Sequence, residues 1–320
     1  MARCSGSFAR AVMLLAMVSC TRSGPAVGPS ASTPPFRRGP RSVTASLARW
    51  RLPQARSRSV ALEMNDQVLL VGGLDTSGAS TTTTFVTDPR TGTVSSGVAL
   101  RRASHDAAGA VIGDAAFVFG GGASRTTADV QEVTASGSAL VARLPRPRSD
   151  SAVARIGNEV FIVGGYDGTH LLRALVETAD GAHFRSFGSL AVPVRYAAVA
   201  AADGALYVFG GSTPSGDTDA VQRVDTSTGA ASIVAHLPQR LSHAAALTRG
   251  DSIFVFGGRV RGACSARVLL FDPAAHSVAR AGTLPEPLSD AAAVQYGDQM
   301  LLIGGETPKR TALVVVVEPR

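Results

Sequence analysis

Six polar residues each stand six positions after a leucine. Arg58, Asp106, Asp150, Tyr196, His243 and Asp290 follow Leu52, Leu100, Leu144, Leu190, Leu237 and Leu284. The carboxylates Asp106, Asp150 and Asp290 could exchange protons with a substrate held between them. Arg58 suits an anion, and His243 a proton or a metal ion. His105, Arg148 and Arg195 sit in the same turns, while Asp167, His170 and Arg259 follow paired glycines later in their repeats. Together these residues form the candidate binding face. The histidines and cysteines lack metal-ligand spacing, so no metal, cofactor or catalytic residue is expected. Arg and Asp at such turns also satisfy neighbouring backbone groups. For any one of them a structural role competes with binding; for the face as a whole, loops on a rigid scaffold favour binding.

The elements that position these residues recur. From each leucine to the first glycine of a Gly-Gly pair the interval is constant, from Leu52 to Gly72 through Leu284 to Gly304. After the leucine comes a Pro/Arg-rich turn such as LPRPRSD (144–150), then a small-residue strand such as SAVARI (151–156). A two-residue turn follows, at Asn65-Asp66, Gly113-Asp114, Gly157-Asn158, Asp203-Gly204, Gly250-Asp251 or Gly297-Asp298, pairs that supply the positive φ of tight hairpins. An apolar run ending in Gly-Gly, a polar loop, a third strand and a fourth complete the unit. Four antiparallel strands in about 47 residues is the period of a propeller blade. No helix follows the glycines, which argues against a phosphate loop.

These six registered copies resemble the kelch repeat, with its apolar strand, Gly-Gly, Asp-containing turn and Pro/Arg linker. The resemblance covers roughly residues 43–320 and implies an all-β, six-bladed kelch-type β-propeller. The family's Tyr in the third strand and Trp in the fourth are mostly missing, with Trp50 the only tryptophan. Aliphatic and Ala packing is expected to replace them. The sixth unit ends after its third strand, so Val43–Arg51 is expected to supply the fourth and close the ring. Copper oxidases of the kelch group use Tyr and His ligands with a Tyr-Cys cross-link; Cys264 lacks such surroundings, and that chemistry is rejected.

The N-terminus reads as targeting. Ala11–Ser19 is apolar but too short to span a bilayer, and suits a secretory signal. AMVSC, ending at Cys20, resembles a bacterial lipobox, which implies cleavage after residue 19 and lipidation of Cys20. Thr21 after that cysteine favours the outer membrane in the family pattern. Residues 20–42, rich in Pro, Ser and Gly, read as a flexible tether. The mature domain keeps one cysteine, Cys264, so no intrachain disulfide holds it.

The net charge of +7 misleads as a chain-wide figure. Residues 1–60 hold ten arginines and no acid; the remainder has 21 Lys and Arg against 24 Asp and Glu. A nucleic-acid partner is therefore not expected. The expectation is an exported, lipid-anchored, monomeric scaffold that presents its loop face to a protein or glycan of the cell envelope. The alternative is a small-sugar enzyme similar to the periplasmic kelch sialic-acid mutarotases, although no active-site motif matches residue by residue. The tether arginines suit anionic headgroups.

Overall fold

The structure, a computed structural model, describes residues 39–320. The signal segment 1–19, the lipidation site Cys20 and the tether up to residue 38 lie outside the described residues. Residues 39–42, the end of the expected tether, touch the folded domain: the Gly39 N–H donates to Asp251 Oδ1 at 3.0 Å and Arg41 pairs with Asp272 at 2.8 Å. No helix among the described residues is long and apolar enough to cross a membrane.

Six antiparallel four-stranded sheets form the blades of a propeller ring. Their inner strands are Val60–Met64, Ala108–Ile112, Ala152–Ile156, Ala198–Ala202, Ala245–Arg249 and Ala292–Tyr296, numbered here as blades I to VI. In blade VI the order is Ala292–Tyr296, Gln299–Ile303, Val314–Pro319 and then Val43–Leu47 from the start of the domain. That closing strand runs antiparallel to its neighbour, with Val43 opposite Pro319 and Leu47 opposite Val315. The ring closure expected from the sequence is therefore present, with the strand itself limited to 43–47.

The continuous apolar runs have a simple cause. The second strand of each blade lies between two neighbouring sheets and is buried on both faces, so alternation disappears. In Gln67–Val71, Val68 and Leu70 pack against blade VI, while Leu69 and Val71 pack against blade II. The core accordingly comprises six inter-blade clusters. Aromatics have moved rather than vanished: second-strand Phe209 meets third-strand Phe271 of the next blade at 5.4 Å between centroids.

The glycine pairs lock blade to blade. Gly120 has φ 65°, and a Cβ there would run into the Arg148 carbonyl oxygen of the next blade's lead-in turn. That carbonyl accepts a hydrogen bond from the Gly121 N–H at 2.7 Å. The same bond recurs at every interface, from Gly73 to Ser104 O through Gly305 to Arg56 O. Isolated bridges such as Ser149–Tyr166 and Ser289–Glu306 bring the lead-in turns and post-glycine loops together on one face.

Candidate functional site

The six residues spaced from the leucines form a closed circle at one mouth of the central channel. The N–H of each donates to the carbonyl of its counterpart in the preceding blade: Asp106 to Arg58, Asp150 to Asp106, Tyr196 to Asp150, His243 to Tyr196, Asp290 to His243, and Arg58 to Asp290. All six bonds measure 2.9–3.0 Å. To aim its N–H and C=O around the circle, each residue takes a left-handed conformation, with φ between 51° (Asp106) and 57° (Asp150). That region disfavours side chains with a Cβ, most of all bulky ones such as tyrosine.

The side chains close over the mouth. Arg58 Nη1 lies 3.0 Å from Asp106 Oδ2, and its Nε lies 3.4 Å from Asp290 Oδ1. The same Nη1 reaches the hydroxyl of Tyr196, on the diametrically opposite blade, at 3.4 Å. Tyr196 stacks on His243 at 4.0 Å between ring centroids. Arg195 lies against the faces of both Tyr196 and Tyr166, 5.1 and 5.2 Å from their centroids. Arg195 also sits 3.6 Å from Asp150. Beneath this layer is a channel cavity of about 230 Å³, walled by small residues such as Ala107, Gly109, Ser151 and Ala197.

Burial sets the protonation of this layer. It pushes the Asp106 carboxyl up to about 7, against the opposing pull of Arg58. It raises Asp150 too, with Arg195 pulling back. The phenol of Tyr196 rises to about 12 through burial and the neighbouring Asp106 and Asp150. His243 falls to about 3 through burial, then Arg259 and Arg58, and stays neutral at physiological pH. His105, hydrogen-bonded to Ser80 Oγ at 2.8 Å, is lowered by burial and by Arg58. For Arg58 burial works downward, but Asp106 and Asp290 outweigh it and hold the guanidinium charged. The result is a layer in which the guanidiniums of Arg58, Arg195 and Arg259 stand against the carboxylates of Asp106, Asp150 and Asp290, and Asp106 can give or take a proton near neutrality.

Not every candidate belongs to this circle. Arg259 does, donating to Asp290 at 2.9 Å and to Glu306 at 2.6 Å. Arg148 is buried instead, and its guanidinium donates to the carbonyls of Gly164 at 2.7 Å and Ala174 at 3.0 Å. Asp167 organises its own loop, accepting from the N–H groups of Thr169 and His170 and from Arg146. His170 is exposed on that loop, 3.9 Å from Asp167, and makes no hydrogen bond or ion pair with the six residues of the circle. Glu306 is the residue the sequence reading missed: it accepts from Ser57 Oγ at 3.0 Å and lies 4.0 Å from Arg58. It follows its Gly-Gly as Arg259 follows the pair one blade earlier, so equal register alone predicts their contact. Among the described residues no group of three or more His, Cys, Asp or Glu side chains could hold a metal ion. No protein-family model matches the chain, and a search of curated proteins finds no match.

Proposed function

We propose that this chain is an exported, lipid-anchored kelch-type propeller whose loop face binds a protein or glycan partner of the cell envelope. The kelch assignment rests on the six registered repeats, and the anchor on the lipobox-like AMVSC ending at Cys20. One observation carries the binding reading. At φ near 60° the blades use glycine in every Gly-Gly pair, yet the mouth circle uses Arg, Asp, Tyr and His at the same kind of backbone. Each such side chain costs about 1 kcal/mol or more relative to glycine. Strain of this kind gathers at functional sites, and a circle needed only for its backbone bonds would be better built of glycine.

Glycine substitution therefore separates function from fold. Tyr196→Gly and His243→Gly keep the backbone circle and remove the side chains. With the full-length protein immobilised, both are expected to hold the wild-type melting temperature within a few degrees and to lose capture of the partner from envelope extract. Capture at the wild-type level by both variants would end the binding reading of the mouth.

A second reading, a small-sugar enzyme of the mutarotase kind, is favoured by Asp106, whose carboxyl is matched to proton transfer near pH 7. Anomeric exchange followed by NMR across a panel of sialic acids and hexoses tests it. Acceleration abolished by Asp106→Asn supports it, and exchange at the uncatalysed rate for every sugar rejects it.

A further inference from the structure

The propeller's charge is sorted between its two faces. The leucine-led turns and post-glycine loops make one face; the tight hairpin turns and the turns between third and fourth strands make the other. With each charged residue assigned to the nearer end of its strand or loop, the loop face carries 18 Lys and Arg against 10 Asp and Glu, and the turn face 7 against 14; Arg280 stands at mid-strand and is left out. The domain is thus strongly dipolar although its sum is small.

Many cations of the loop face are available. Arg102 and Arg143 share Asp129, and Arg146 is paired with Asp167. Arg51, Arg101, Arg125, Arg240, Arg261 and Lys309 are all exposed, and none has a carboxylate within ion-pairing distance among the described residues. They lie outside the mouth circle, on the turns and loops of blades V, VI, I and II. Blade IV interrupts the arc with Asp217 and Asp219. Cations spread along an arc, one or two to a blade, fit an extended chain of anions better than a compact ligand seated in one pocket.

We infer that the loop face binds a polyanionic glycan, its carboxylates, sulfates or phosphates bridging this arc of unpaired cations. The inference rests on the reading that the loop face is the binding surface, and names the chemistry of the partner. Two features favour a glycan over a membrane. The first described residues lie at the opposite, acidic face, where Gly39 meets Asp251 and Arg41 meets Asp272, so the chain enters the domain on the side away from the basic face. The large exposed apolar residues Leu47, Leu140, Val141 and Ile233 all lie on the outer, fourth strands, and none on the leucine-led turns or post-glycine loops that carry the cations.

The test uses the full-length protein in detergent, with polygalacturonate as the anionic polymer and dextran as the neutral one. Binding to polygalacturonate is expected at low salt, weakening steeply as ionic strength screens the exposed charges, with none to dextran. The triple charge reversal Arg101→Glu, Arg125→Glu and Arg261→Glu should weaken it by about tenfold or more. The matched triple Arg90→Glu, Arg155→Glu and Arg249→Glu on the turn face should leave it within about twofold. Should the loop-face reversal lower the melting temperature, the corresponding Gln triple carries the comparison. Equal loss from both triples, or no binding to polygalacturonate, overturns the inference. Tighter binding to phosphatidylglycerol vesicles or to duplex DNA at equal charge concentration overturns it in favour of a membrane or a nucleic acid. Capture from envelope extract that survives the loop-face triple but fails in Tyr196→Gly overturns it while leaving the proposed function in place.

Discussion

Replacing the first glycine of a pair by alanine should break an inter-blade lock, and the size of the effect can be isolated. Gly120 and Gly113 are both left-handed, with φ 65° and 62°. A Cβ at Gly113 meets nothing within 4 Å, whereas at Gly120 it strikes the Arg148 carbonyl oxygen. Gly113→Ala therefore reports the conformational penalty alone, about 1–2 kcal/mol. Gly120→Ala carries that penalty plus two further losses. The Gly121 N–H to Arg148 O bond is stretched or broken, at about 1 kcal/mol. The blade II–III interface, packed around Phe119, Val160 and Ile162, must also shift to admit the methyl, at about 1–3 kcal/mol. The total is about 3–6 kcal/mol, or roughly 10 °C or more in melting temperature for a domain of this size. Urea denaturation of both variants beside wild type measures the difference. If Gly120→Ala is no less stable than Gly113→Ala, the glycine pair does not lock the blades in the way described.

The remaining predictions follow from the same contacts. Because burial raises Asp106 from 3.8 to about 7, the folded state holds a proton that the unfolded chain has released between those values, so this group removes stability as pH rises through that window; the melting temperature of Asp106→Asn should gain on wild type between pH 4 and pH 8, and a constant offset would refute the assignment. His243 acts oppositely, since a folded pKa lowered from 6.5 to about 3 makes the unfolded chain bind the extra proton, and the stability it contributes near neutral pH is lost as pH falls below 6.5; wild type should therefore gain on His243→Gln in melting temperature as pH rises from 4 to 6.5, and a constant offset would refute it. Arg148→Met strands the buried Gly164 carbonyl and loses the bond to the more exposed Ala174 carbonyl, and should cost about 1–3 kcal/mol, while Arg56→Met removes a buried guanidinium that has no hydrogen-bond partner among the described residues and should be neutral or stabilising in urea titrations. Deleting Val43–Leu47 leaves Val314–Pro319 as an open edge; a large drop in melting temperature with self-association on sizing is expected, and full-length stability would refute closure by that strand.

Architecture was legible because it depends on local signals repeated in register: the constant leucine-to-glycine interval, the hairpin pairs, and a closing segment where a fourth strand was missing. The mouth circle was legible for the same reason, since one position in each repeat must reach the axis at the same height. What could not be read locally were contacts that cross blades. Arg58 reaching Tyr196 depends on the width of the channel, which no single repeat encodes. The charge of Arg148 suggests the surface, yet its position, four after the leucine, is held in the other repeats by Arg56, Ser104, Val194, Leu241 and Leu288, all of them buried. The three apolar residues at that register are the signal for burial that the sequence carries, diluted by Arg56 and Ser104.

The same lesson governs the charge. Residues 61–320 sum to three more acids than bases, which argues against a polyanionic partner only if charge is spread evenly. A propeller cannot spread it evenly, because every strand reversal sends consecutive turns to opposite faces. Acids gather in the hairpin turns, where Asp66, Asp114, Asp203, Asp251 and Asp298 take tight-turn positions that favour Asp, Asn and Gly. Arginines gather in the Pro/Arg-rich turns that follow each leucine. Turn chemistry alone therefore polarises the domain, and a face with a surplus of cations emerges from a sequence whose domain total is close to neutral. Steering of a charged partner responds to that local surplus over a Debye length of about 8 Å at physiological salt, not to the sum.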